Sequence, residues 1–126
     1  MKKVGILGVP LGFGAGKTGS ELGVDAMRMS KVRGKSLSEH LRELGYDVTD
    51  HGDASIVRPV ELSDAGNPKH LREMVASSEN IIDSLTDILA NDEFPVILGG
   101  DHAIAIPTFS AIANHYRQQN TEIGLI

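Results

Sequence analysis

No cysteine occurs in the 126 residues, and that absence removes disulfides, thiolate zinc sites, iron–sulfur clusters and cysteine nucleophiles together. Any metal chemistry is left to histidine, aspartate and glutamate, whose donors suit manganese or zinc. No run of Lys or Arg exceeds two, and twelve basic against seventeen acidic residues leave a net charge of -5. A nucleic-acid backbone or an anionic membrane surface therefore meets no electrostatic footprint, and neither is expected as a partner. No stretch approaches the roughly 18 apolar residues of a membrane span. The opening run Val4 to Val9, after Lys2 and Lys3, has the outline of a signal peptide, but it is short, glycine-interrupted and stopped by Pro10. A buried strand explains it better, and a soluble, cytoplasmic protein is the expectation.

Internal repeats and low-complexity segments are also lacking. What is present is an ordinary globular composition, 40% apolar with fourteen glycines, in a chain of the length of one domain, about 100 to 150 residues. Val4 to Val9 reads as a strand buried on both faces. Seven of the glycines lie between Gly5 and Gly23, so Gly12 to Gly19 is a loop that brings its backbone close to something. Gly23 to Arg33 is consistent with a short helix. Ser36-Leu37-Ser38-Glu39 is a capping box that opens another, stopped at Gly45. Tyr46 and Val48 begin a second strand that ends in Asp50-His51-Gly52-Asp53. Residues 54 to 68 show no periodicity and read as a surface excursion.

From Lys69 to Ala90, Leu71, Met74, Val75, Ile81, Ile82, Leu85, Ile88 and Leu89 form a helical stripe opposite acidic and basic residues. Phe94 to Leu98 is a third buried strand. Gly99-Gly100-Asp101-His102 turns into a helix through Ile104, Ile106, Phe109, Ile112 and Ala113, with Pro107 in its first turn. Thr121 to Ile126 reads as a fourth strand. Alternating elements of this kind imply right-handed crossovers on a parallel sheet, with Val4 to Val9 between the second and third strands and helices on both faces. The glycine loop and His102 then share one edge.

Gly14-Ala15-Gly16-Lys17-Thr18 copies the end of a phosphate-binding loop, but Leu11 stands where such a loop needs glycine, and Gly19 and Gly23 interrupt the helix that should follow. The dinucleotide pattern Gly14-x-Gly16-x-x-Gly19 is likewise separated from its strand by Pro10 to Phe13, and Asp50 is too distant to serve a ribose. Nucleotide binding is not expected. Among the five histidines, His40, His70 and His115 read as helix-borne and structural or solvated. His51, beside Asp50 and Asp53, is as well explained by a turn as by a site. His102 stands apart, because two glycines and Asp-His lie at the carboxyl end of a strand, where open α/β sheets place ligands. A neutral imidazole there can bind manganese or zinc, with Asp101 orienting a neighbour. The alternative is a helix cap by Asp101 with His102 incidental.

The string Phe94-Pro95-Val96-Ile97-Leu98-Gly99-Gly100-Asp101-His102-Ala103-Ile104-Ala105-Ile106 carries a resemblance, joined by Gly8-Val9-Pro10-Leu11, Gly14-Ala15-Gly16 and Gly45-Tyr46-Asp47-Val48 before Asp50-His51-Gly52-Asp53. Over nearly the whole chain it resembles the amino-terminal part of the arginase (ureohydrolase) family. The resemblance implies a three-layer α/β/α fold around a parallel sheet, incomplete here, with residues 1–126 forming the amino-terminal portion of a single domain. It further implies two Mn2+ ions, a small guanidino substrate, and hydrolysis of arginine to ornithine and urea. Agmatine or another guanidino compound is the alternative substrate, and a non-catalytic binding or assembly segment the alternative role. A homo-oligomer, trimer or hexamer, is implied as well.

In the family pattern the histidine of Gly-Gly-Asp-His is a manganese ligand, which carries over to His102 alone, and Asp101 is expected beside it as a supporting residue. No other ligand and no catalytic residue carries over. The remaining ligands are expected in an Asp-Ala-His-x-Asp element after a strand like Glu122 to Ile126 and in a later Asp-x-Asp element, both outside this sequence. Two bridging ions would supply the strong nucleophile that guanidinium hydrolysis needs. Departures from the family pattern are Ala103 for serine, Gly12 for aspartate, Thr18 near an expected arginine and Val24 for proline.

Overall fold

Val4, Ile6, Leu7 and Val9 of β1 (Lys3–Val9) are almost entirely removed from solvent, as a strand flanked on both sides and covered on both faces must be. In the computed structural model, which describes residues 2–15, 17–60 and 70–126, β1 pairs in parallel with β2 (Asp47–Asp53) and with β3 (Glu93–Gly99). The order is β2-β1-β3. Along β3 the register is unbroken from Lys3 opposite Glu93 to Val9 opposite Gly99. Along β2 it shifts between Ile6 and Gly8.

Alternation along β1 sends its side chains into two cores. Leu7 and Val9 pack with Ile81, Leu85 and Ile88 of α3 (Leu71–Ala90) and Ala111 of α4 (Ala105–Gln118). Val4 and Ile6 pack on the other face with Val24 of α1 (Gly23–Met29), Val48, Leu98, and Leu37 and Leu41 of α2 (Leu37–Glu43). Helices cover both faces of a parallel sheet, so the fold is the expected three-layer α/β/α arrangement. Each fully buried aliphatic side chain contributes about 1.5–3 kcal/mol of transfer free energy.

The capping box at α2 forms as read: Glu39 N donates to Ser36 Oγ at 3.3 Å and Ser36 N donates to Glu39 Oε2 at 2.7 Å. Pro107 sits in the first turn of α4, where a missing N–H costs nothing.

Four expectations are corrected. The helix expected to reach Arg33 ends at Met29, because Ser30 takes an extended backbone and returns its hydroxyl to Ala26 O at 2.6 Å. Arg33 and Gly34, both at positive φ, then turn the chain back so that Val32 bridges Lys35. Second, β3 is not buried throughout: Leu98 is, but Phe94 is 68% exposed, since β3 has a neighbour on one side only. Third, the α3 stripe is buried from Ser77 onward, while Leu71 and Val75 face solvent. Fourth, Thr121 to Ile126 forms no strand, because a strand exists only through hydrogen bonds to a partner and none adjoins it.

The stretch after β2 is not wholly superficial. Ala54 is buried, and Ser77 Oγ accepts from Val57 N at 2.9 Å, tying this segment to α3. The remainder of the expected excursion, residues 61–68, and Lys69 lie outside the described residues. Among the described residues no helix is long and apolar enough to cross a membrane.

Candidate functional site

Because Val9 stands opposite Gly99, the segments that leave β1 and β3 emerge at the same edge, the carboxyl ends of the strands. They join there by main chain. Asp101 N donates to Leu11 O at 2.8 Å, and a Cβ on Gly100 would collide with the Leu11 backbone. Only glycine permits that approach.

Asp101 is 7% exposed, and its carboxylate is shared between two segments. Oδ2 accepts from Gly14 N at 2.8 Å and Ala15 N at 3.1 Å, while Oδ1 accepts from Ala103 N at 2.9 Å. The last bond caps the 3-10 turn His102–Ile104 that leads into α4. Hydrogen bonds to a carboxylate are about twice as strong as neutral ones, so this is a firm junction. His102 follows directly, with its side chain exposed at the same edge. The glycine loop and His102 are thus brought together as read, and Asp101 acts on backbone groups, capping the turn as it does so. Gly16 lies outside the described residues.

The other histidines are engaged elsewhere. His51 Nε2 meets Glu93 Oε2 at 2.6 Å, and Glu93 aligns with Lys3, at the far end of β1 from the loop edge. His40 Nε2 meets Val32 O at 2.9 Å. His115 Nε2 lies 2.9 Å from Gln119 Nε2 and its ring stacks edge-on to Tyr116. His70 is not within a helix but at the residue before α3, in a left-handed conformation, edge-on to Phe13.

Asp50 and Asp53 pair with Arg28, a residue not legible as part of a site in the sequence. The Arg28 guanidinium donates from Nε to Asp50 Oδ2 at 3.1 Å and from Nη2 to Asp50 Oδ1 at 2.9 Å and Gly52 O at 2.8 Å, and it also pairs with Asp53. The hydrogen bond to Asp50 is the main cause of its raised pKa. For Asp50, burial alone would raise the carboxyl. The Arg28 hydrogen bond, the Gly52 N–H and the positive charge of Arg28 outweigh it and hold the group below its ordinary value. Two acids three positions apart at a strand end were the available signal.

A hollow of about 100 Å³ is lined by Gly12, Phe13 and Thr18 of the glycine loop together with Glu21 and Arg58. Glu21 Oε2 accepts from Gly19 N at 2.8 Å; hydrogen bonds from its own backbone N–H and from Gly19 keep its pKa low. A hollow of about 340 Å³ lined by Lys2, Phe94 and Tyr116 lies at the amino ends of β1 and β3, the end that open parallel sheets do not use for ligands.

Among the described residues no group of three or more histidines or carboxylates stands close enough to hold a metal ion. At this edge the His102 residue is exposed.

A model of the family described as the Arginase family matches residues 2–126. The chain belongs to the arginase family. An arginase from Brevibacillus brevis is 33% identical over 116 residues, covering 92% of this chain and 37% of that protein. The crystal structure of arginase from Bacillus caldovelox superposes with a TM-score of 0.78 at 32% identity, over 91% of this chain and 38% of that one. A hypothetical agmatinase from Burkholderia thailandensis superposes with a TM-score of 0.61 at 28% identity, over 91% of this chain and 34% of that one. The chain thus spans little more than a third of the length of these arginase-family relatives.

Proposed function

We propose that residues 1–126 form the amino-terminal portion of an arginase-family domain that hydrolyses a guanidino compound, arginine in the first instance, to ornithine and urea. The observation that carries this reading is the Gly99-Gly100-Asp101-His102 turn, fastened by Asp101 to the glycine loop at the carboxyl edge of the sheet, with the His102 imidazole left exposed. His102 is placed to supply one imidazole to a Mn2+ pair whose other ligands come from outside the described residues. Asp101 positions the turn, and a cytoplasmic homo-oligomer, trimer or hexamer, accords with the family. Agmatine is the second substrate to consider, favoured by the likeness to the Burkholderia thailandensis agmatinase.

Urea release decides the reaction class. The 126-residue chain with manganese should release no urea from arginine or agmatine, since one imidazole cannot hold two ions. A longer polypeptide, in which this chain is continued by the remaining length of an arginase relative, should release urea from one of them. Full activity of the short chain, or none from the long one when its partner sequence is active in its own protein, would sink the reading.

A further inference from the structure

We propose that Asp101 is a positioning residue whose carboxylate fills, from within the chain, the anion nest of the glycine loop and thereby locks that loop to the turn carrying His102. Successive backbone N–H groups converging on one oxygen are the arrangement by which glycine loops cradle phosphate. Here Gly14 N and Ala15 N converge on Asp101 Oδ2, 87 and 86 residues away along the chain. The occupant is therefore built in. Its second oxygen is committed to Ala103 N, and its own N–H to Leu11 O, so one residue closes bonds to both segments through side chain and main chain together.

The close fit depends on small residues on both sides. A Cβ on Gly14 would stand 2.5 Å from the Ala103 Cβ and 3.1 Å from the Asp101 carboxylate, so a larger residue at 14 would push the loop off its anchor. A carboxylate this buried is stable only while its oxygens are hydrogen-bonded, and these three N–H groups provide that. Two consequences follow. A nucleotide phosphate finds the Gly14 and Ala15 N–H groups already taken, and His102, the next residue after the anchor, is held in place through its backbone rather than its ring. The lock stands on geometry alone; only the importance of placing His102 rests on the proposed hydrolase reading.

Solution NMR on the isotopically labelled 126-residue chain tests it. In the unaltered chain, through-hydrogen-bond couplings should link the Gly14 and Ala15 amide nitrogens to the Asp101 carboxyl carbon. In Asp101→Ala, hydrogen exchange at those two amides should rise about ten- to a hundredfold, as expected for losing bonds to a charged acceptor, and the His102 imidazole resonances should shift. The amides of Ile6 and Leu7 should not change. Sodium formate added to Asp101→Ala should return the Gly14 and Ala15 resonances toward their original positions, which a merely structural defect would not do. Calorimetry of the unaltered chain with ATP or NAD should show no saturable heat.

Absence of the couplings in the unaltered chain would overturn the proposal even if Asp101→Ala fails to fold. So would unchanged exchange at Gly14 and Ala15 in the variant, failure of formate to move them, or micromolar nucleotide binding. An inactive longer polypeptide with the couplings intact would refute the hydrolase reading and leave the lock standing.

Discussion

Arg28 shows how much one side chain can organise away from the chemistry. It reaches from α1 to Asp50, Gly52 and Asp53 at the end of β2, fixing the strand terminus that lies beside the loop edge. Asp50 has its pKa lowered in the fold despite partial burial. A carboxyl depressed in this way stabilises the folded state fully above its unfolded value, about 3.9. That stabilisation is lost as pH falls through the lower folded value. Arg28 is raised instead, so its share is complete at every pH below about 12. Side-chain exposures of 37% and 39% for the two acids limit the effect to about 1 kcal/mol. Arg28→Met, which keeps the aliphatic stem, should lower the urea-unfolding midpoint at pH 7 and lose less than the unaltered chain on going to pH 3. An identical acid dependence in both would show that the clamp does not contribute. The clamp was illegible in the sequence because its partners lie 22 and 25 residues on, in a different element. The junction at Asp101 is legible in part, because the glycine pair at the end of β3 marks a close backbone approach, which Gly100 makes to Leu11.

At the scale of elements, stability is concentrated in α3 and the box that opens α2. Ile81 and Leu85 are wholly buried between the sheet and α4, so Ile81→Ala should cost about 2–5 kcal/mol. Ser36→Ala should cost about 1 kcal/mol by uncovering the Glu39 N–H. Chemical denaturation of both variants checks the ratio; a larger loss for Ser36→Ala would contradict the assignment of the core. Elements whose signal is local are legible in the sequence: the capping box, the 3.6-residue stripe from Ile81 to Leu89, and the apolar run of β1. Elements whose fate depends on neighbours are not. Phe94 belongs to an apolar run that looks buried, yet it is exposed because nothing pairs with the outer side of β3. Thr121 to Ile126 has strand composition but no adjoining strand, and Leu71 lies beyond the part of the helix that the sheet covers. Periodicity tells which face is apolar, not whether something covers it.

For the molecule as a whole, three parallel strands between two helical layers assemble one edge where the glycine loop, Asp101 and His102 meet, in a chain of the arginase family that spans little more than a third of its relatives' length. On its outer side β3 has no paired strand among the described residues, and its Phe94 is exposed. An unpaired strand edge is a template for further pairing. The proposal that His102 supplies one ligand to a manganese pair is tested most directly by metal content. In the longer polypeptide described above, saturated with manganese and then freed of unbound metal, the unaltered protein should retain two ions per chain. His102→Ala should retain close to one, with its fold intact because the side chain lies at the surface. Two ions retained by the variant would contradict the account.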